Sequence, residues 1–374
     1  AHPKIRPLEA FPVQAEGKEM VAIKDPVGVC PEAVFVPPEA FFLISLMDGT
    51  HTLRDLQAAY MRKYGDLLYS DKIEGLIAQL DSYFLIENRR FEDHLLHLRE
   101  AFKGAKIRGA VFAGRGYEAD PAALKAQLEG YFTAQDGPGP PNERVEKKDL
   151  KGIVAPHIDF TRGGSCYAHA YKALGESPHS NFYCILGTCH TPMENPFAFT
   201  LKAFETPLGR VEVAQDLVEE CASKLPFDPF TDEFSHRSEH TIELQVVFLQ
   251  YLLEGRDFQI LPILCNSFHE MIHGGTSPLQ DPLYEASVSA LKEQLSALPS
   301  CCLVASADLA HVGPQFGDQE AVTPVVLAEV KAKDLEMLGH VAHLEGEDFY
   351  RFILREGDRR NICGLPPIYA LVHL

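Results

Sequence analysis

Several short stretches of this chain set histidine, cysteine or carboxylate side chains just beyond runs of apolar residues. "GIVAPHIDFTRGG" carries His157 and Asp159, "ILGTCHTP" carries His190, and "VASADLAHVG" carries Asp308 and His311. "SEHTIELQ" places Glu239 and His240 in the first turn of a predicted helix, and "NICGLPP" holds Cys363. Two or three imidazoles with one anionic donor form a borderline-metal set: imidazole suits iron, copper and zinc, and a thiolate adds softness. A set of two histidines and one anion also leaves coordination positions open for substrate, oxygen or water. Asp159, Asp308 or Glu239 could then orient the imidazoles, and His311 could act as general acid or base if it lies near the ion without binding it.

Each residue also has a plainer reading. His157 alone is a turn residue after a strand, and His190 beside Cys189 is a packed loop residue. Asp308 and His311 form a hydrogen-bonded turn, Cys363 is a small buried hydrophobe, and Glu239 complements a helix dipole. The joint reading rests on position. The runs "GIVA" (152–155), "NFYCILG" (181–187), "FQILPIL" (258–264) and "CCLVAS" (301–306) read as buried strands separated by helices, the pattern of an α/β sheet domain. Three of these runs end in a histidine-bearing loop, where α/β sheets bind their ligands. In "EHTIELQVVFLQYLLEG", Ile242, Val246, Leu249 and Leu253 share one helix face. Pro156 and the pair Gly163–Gly164 are expected to shape a loop leaving the first strand. Arg162 could meet an anionic ligand or pair with Asp159. The remaining histidines, His236 among them, read as surface or packing residues.

Residues 1 to about 95 read as a separate small α+β unit, with 96–374 as the α/β domain. "EMVAIKDP" and "AVFVPP" alternate like short strands, and "PPEAFFLISLMDGTHTLRDLQAAYMRKYG" gives helix, turn, helix with Thr52 as N-cap. A third helix starts near Ser70 with Ile73, Leu76, Ile77 and Leu80 at helical spacing, and "YFLIENRRF" is expected as a hairpin strand. That order predicts a winged-helix-like module, although Asp71, Glu74 and Asp81 suit a peptide or domain contact better than a DNA groove. "EDHLLHLREAFKGA" is a connecting helix, residues 120–134 are another, and "AQDGPGPPNERVEKKDL" is a Gly/Pro-rich charged loop.

The chain has 374 residues, 46% apolar, which supplies a substantial core. A formal charge of −19 argues against a broad nucleic-acid-binding face. The opening "AHPKIRPLEAFPV" lacks the apolar centre of a signal peptide, and no 18-residue apolar run predicts a membrane span. Nine cysteines without a CxxC pair fit a reducing cytoplasm. GxGxxG, Walker A and GxSxG motifs are absent, so neither a phosphate loop nor a nucleophile elbow is expected.

Six ordered motifs, "GIVAPHIDFTRGGSCYAHAYKAL", "ILGTCHTP", "SEHTIELQVVFLQYL", "ILPILCNS", "VASADLAHVGPQFG" and "NICGLPPIYAL", resemble the Memo family, the B component of the AmmeMemoRadiSam group, across roughly residues 106 to 374. That family is similar to class III extradiol dioxygenases, which hold non-haem Fe(II). The resemblance implies metal ligands at His157, His190 and Cys363. It implies His311 as acid/base supported by Asp308, with Glu239 and His240 near the pocket. Cys363 stands where the dioxygenases have a carboxylate, which puts ring cleavage in doubt. Family members run on past "CGLPPIYAL" and supply further strand, so the resemblance implies either a chain cut short at Leu374 or a sheet completed differently. "LMDGTHTLRDLQAAYMRKYG…IEGLIAQLDSYFLIE" resembles PqqD-like modules that recognise peptides beside radical-SAM enzymes. The implied partners are a radical-SAM protein, an AMMECR1-like protein and a peptide. The implied cofactor is Fe(II), with copper or zinc as alternatives. A redox metalloenzyme is therefore expected. The competing readings are a partner-binding adaptor that reuses the pocket, and zinc-dependent hydrolysis.

Overall fold

A computed structural model describes residues 2–15, 17–30, 32–142, 150–319 and 321–374. The chain divides into two compact units, Ala1–Gly104 and Ala105–Leu374, so the helix expected as a connector belongs to the first. The charged loop expected over 134–150 is described only as far as Asn142; its 143–149 portion lies outside the described residues.

In the first unit, β1 (Glu9–Ala15), β2 (Lys18–Lys24) and β3 (Val34–Val36) form an antiparallel sheet in that order. Helices α1 (Pro38–Ser45), α2 (Leu53–Tyr64), α3 (Ser70–Ser82) and α4 (Arg89–Gly104) follow. Thr52 caps α2 as expected: its hydroxyl accepts from the Asp55 amide, and Asp55 accepts from the Thr52 amide in return. Leu43, Ile44, Met47, Leu56, Ile73 and Leu80 are buried together. The strand expected at "YFLIENRRF" is not formed. Phe84 turns the chain with φ 58°, Ile86 makes a single bridge to Ile5, and Asn88 accepts from the Phe91 amide, starting α4 at once. Among the described residues the sheet of this unit therefore precedes its helices, and the strand pair expected after the third helix for a winged-helix-like module is absent.

The second unit is mixed α/β. It contains β4 (Ile107–Arg108), α5 (Pro121–Thr133), β5 (Gly152–Ala155), α6 (Phe160–Gly175), β6 (Phe182–Thr188), β7 (Phe197–Phe199), β8 (Ala203–Thr206), β9 (Gly209–Val211) and α7 (Gln215–Lys224). It continues with α8 (Thr241–Leu252), β10 (Gln259–Cys265), α9 (His269–Gly274), α10 (Pro282–Ser296), β11 (Cys301–Ser306), α11 (Pro324–Ala342), α12 (Gly346–Arg355) and α13 (Leu365–His373). The main sheet has the order β5-β11-β6-β10-β7; its first four strands are parallel, and β7 runs antiparallel to β10. Strands β4, β8 and β9 form a smaller sheet. The four apolar runs read from the sequence are the four parallel strands, buried because helices cover both faces.

Helix α8 departs from its one-sided pattern: every residue from Thr241 to Leu249 is buried. It lies so close to β6 that a Cβ at Gly187 would come within 2.5 Å of the Thr241 hydroxyl. Gly163 and Gly164 are likewise not in a loop. They lie in α6, capped by Asp159, where side chains at those positions would strike Ile158 and Tyr131. No helix among the described residues is long and apolar enough to cross a membrane.

Candidate metal centre

The parallel strands β5, β6 and β11 end side by side, and the residues just beyond them converge. His157 follows β5 through Pro156 and is buried. Its backbone amide donates to Asp308 Oδ1 at 2.8 Å, and its Nδ1 lies 3.0 Å from the Ser306 carbonyl at the end of β11. A carbonyl can only accept, so Nδ1 carries the proton and Nε2 presents a lone pair. That Nε2 is 3.2 Å from Cys363 Sγ and 3.8 Å from Asp308 Oδ2. Burial, against the pull of Asp308, lowers the His157 pKa to about 3, so the ring is neutral and ready to ligate.

His190 follows β6 by two residues. The Glu239 carboxylate accepts from its backbone amide at 2.9 Å and lies 3.1–3.2 Å from its Nδ1, which turns Nε2 the other way. Burial opposes charge on this ring, but Glu239 and Cys363 outweigh it and lift its pKa to about 10. Glu239 is fully buried. Burial disfavours its charge, yet the His190 and His240 rings beside it hold its pKa well below the ordinary value. Burial also pushes the Cys363 thiol up, with His190 pulling the other way. A cation arriving here would displace a proton from the site, as thiolate and imidazole ligation generally require.

One ligand atom each from His157, His190 and Cys363 lies within 4.8 Å of the others, and the same holds for His190, Glu239 and His240. The donor set is that of a borderline transition-metal site, with each imidazole fixed at its far nitrogen by a carbonyl or a carboxylate. The residues present therefore fit a metal ion. His240 is the N-cap residue of α8, just ahead of the helix, and Glu239 precedes it. His240 Nδ1 lies 3.0 Å from Glu239 Oε1, and its ring stacks on Phe112 at 4.6 Å.

Of the carboxylates expected to orient imidazoles, Glu239 meets the His190 ring at Nδ1, and Asp308 meets the His157 backbone amide. Asp159 caps α6 and pairs with Arg162. His311 belongs to neither group of ligand atoms. Its amide donates to the Arg360 carbonyl at 2.6 Å, and its Nδ1 faces the carbonyls of Leu309 and Asn361. His236 is buried against the Ala198 carbonyl, a packing residue as read.

A polar lattice beneath the ligands escaped the sequence reading. Gln245 Nε2 donates to the Pro156 carbonyl and to Ser306 Oγ, both at 2.8 Å, and Gln245 Oε1 accepts from Tyr171. Ser306 Oγ donates to the Thr241 carbonyl, and Thr188 Oγ1 donates to the Cys363 carbonyl at 3.0 Å. The available signal was four polar residues, Thr188, Thr241, Gln245 and Ser306, set singly within or at the end of otherwise apolar segments.

A family model described as Memo-like protein matches residues 108–374. The chain is 30% identical over 362 residues to a MEMO1 family protein of Aquifex aeolicus, covering 97% of this chain and 88% of that one. It is 28% identical over 309 residues to one of Thermus thermophilus, covering 82% and 85%. To one of Methanopyrus kandleri it is 31% identical over 273 residues, covering 71% and 85%.

Proposed function

The chain belongs to the Memo-like protein family, and from that premise we propose that its second unit binds iron(II) through His157, His190 and Cys363 and works as a redox protein akin to the extradiol dioxygenases. One observation carries the reading: the three ligand atoms lie within 4.8 Å of one another. Iron(II) held by these three residues would supply Lewis-acid and one-electron chemistry. The protein's own groups handle protons and orientation. Glu239 fixes His190 and His240 by their Nδ1 atoms, so His240 Nε2 is the lone pair turned away from the carboxylate, available to take up a proton. Asp308 holds the His157 backbone and keeps its second oxygen 3.8 Å from Nε2. His311, its Nδ1 engaged by carbonyls, is the reserve proton carrier.

Metal analysis of protein purified anaerobically tests this. Stoichiometric iron that is lost in His157→Ala is the expected result; no metal in the wild type overturns it. Stoichiometric copper or zinc instead would reassign the ion, and zinc with oxygen-independent hydrolysis would replace the redox reading.

A second reading is a partner-binding adaptor. The thiol in place of a carboxylate favours it, and so does the first unit, which lies outside the family match yet within the 97% of the chain aligned to the Aquifex relative. Radical-SAM and AMMECR1-like proteins, and a peptide bound by the first unit, are the partners proposed. A complex that survives metal removal and is unchanged by Cys363→Ala would support this reading over the first.

A further inference from the structure

Behind the Glu239–His240 arm of the site lies a cluster that contributes no ligand atom. Arg108 and Glu243 are both fully buried and form an ion pair, and Tyr117, also buried, donates its hydroxyl to the same carboxylate. The remaining bonds are directional. Arg108 Nε donates to the His236 carbonyl at 3.0 Å and Nη2 to the Glu239 carbonyl at 2.5 Å, so the guanidinium grips the turn that leads into α8. Glu243 accepts the amides of Val111 at 3.1 Å and Phe112 at 2.9 Å, which draws that segment over the same turn. Phe112 there stacks on His240, an approach that Gly116 permits: a Cβ at Gly116 would stand 3.0 Å from the Phe112 ring. One ion pair thus fixes His240 from both sides, through the backbone on one and through an aromatic ring on the other.

We propose that Arg108, Glu243 and Tyr117 are positioning residues that set Glu239 and His240, and through Glu239 the His190 ligand. The proposal rests on the metal-site reading above. Two features separate this cluster from ordinary core. An apolar core in the same place would leave no buried charge to satisfy, and replacing buried ion pairs by hydrophobes is commonly neutral or stabilising. Moreover, its bonds are spent on the backbone flanking Glu239 and on the residue that touches His240, and not on tying helices together. Orientation of a ligand through its outer partner is worth roughly 10–100-fold in metal affinity.

The test uses cobalt(II) as probe, with affinity by competition titration and ligand-field bands in the visible spectrum. Tyr117→Phe and Glu243→Gln are compared with wild type and with Leu291→Ala, a buried truncation in α10 outside the site. The expected result is that Glu243→Gln weakens cobalt binding by about 10–100-fold and shifts the bands, with a smaller shift of the same sign in Tyr117→Phe, while Leu291→Ala keeps wild-type affinity and bands. If both site variants keep wild-type bands and affinity, or if Leu291→Ala disturbs them equally, the positioning role is overturned. If Glu243→Gln fails to fold, Tyr117→Phe, which removes one hydroxyl, decides alone. Failure of the wild type to bind cobalt, or binding undiminished in His157→Ala, overturns the metal-site reading and this proposal with it.

Discussion

The histidine side and the cysteine side of the site reach the same point by different means. His157 and His190 stand just beyond parallel strands whose ladder already fixes their backbones, and each ring is held at Nδ1 by a group of the sheet face or of the adjoining turn. Cys363 stands in the loop between α12 and α13, where Asp358 and Asn361 both take positive φ, 50° and 49°. No ladder holds that loop. Asp358 accepts the Ile362 amide at 2.9 Å, Asn361 bonds the His311 carbonyl, and Arg360 pairs with Asp334 of α11 and Glu356 at the end of α12. Asp and Asn are the non-glycine residues that tolerate the left-handed region best, so they shape this turn at modest cost. Strand-borne ligands therefore inherit their positions from a strand ladder, whereas the loop-borne ligand is held by these side-chain bonds and by two isolated backbone bonds, from the His311 amide to the Arg360 carbonyl and from the Gly364 amide to the Asp308 carbonyl.

The comparison is broken most directly by removing a ligand from each side. His157→Ala should lower metal affinity by more than the roughly 100-fold that outer-partner changes produce, while leaving the fold intact, because the sheet does not need the ring. Cys363→Ser should lose affinity comparably. Competition titration with the isolated variants measures both, and a cysteine variant with wild-type affinity would remove the thiol from the ligand set.

The next effect separates scaffold from ligand. Arg360→Met leaves Asp334 without its cation and Glu356 with Lys333 alone. Both carboxylates keep some contact with water, so a loss of roughly 2–4 kcal/mol is expected, below the full cost of breaking a buried pair. The loss should appear in chemical denaturation and, more selectively, as a weakened thiolate-to-cobalt charge-transfer band. Equal damage to the cysteine and histidine signatures would mean that the loop is not the separately held element described here.

What the sequence disclosed follows the same division. The strands were legible because four apolar runs sit at strand length, and the ligands because they follow those runs. The partners of α8 were not. Gln245 meets Pro156 across 89 residues, and Glu243 meets Arg108 across 135, pairings that no local pattern encodes. The Gly163–Gly164 pair looked like a turn because glycine usually marks one; the crowding by Tyr131 and Ile158 that requires it inside α6 is visible only in three dimensions. The strand misread at "YFLIENRRF" has a local cause: Leu85 and Ile86 are buried, but Asn88 begins a helix before a strand can extend.

On the histidine side a milder break is available. Gln245→Leu keeps approximate shape but removes the donors to Pro156 and Ser306 and the acceptor of Tyr171. Buried groups left unpaired cost about 1–3 kcal/mol, so a loss in that range is expected. Metal affinity should fall less than in Arg360→Met, since the β5 and β11 ladder still holds His157. A larger fall in affinity than Arg360→Met produces would reverse the ranking of the two sides.

The smallest effect concerns acid. His157 and His236 are both buried neutral, with burial lowering each pKa to about 3. Their ordinary value lies near 6.5, so between pH 6.5 and 3 the unfolded chain takes up protons that the folded one refuses, and stability falls as pH falls through that window. From pH 6.5 to 5 each such group removes about 1.5 kcal/mol. His236→Gln, whose amide can still donate to the Ala198 carbonyl, should flatten the stability–pH slope of the metal-free protein by one group's share. Adding metal should steepen it, because the ion displaces protons from the His190 and Cys363 side of the site and so lowers the folded state's proton count, and it should do so equally in wild type and in His236→Gln, because His236 lies outside the site. If metal leaves the slope unchanged in both, the ion displaces no proton from His190 or Cys363, and those two are not its ligands.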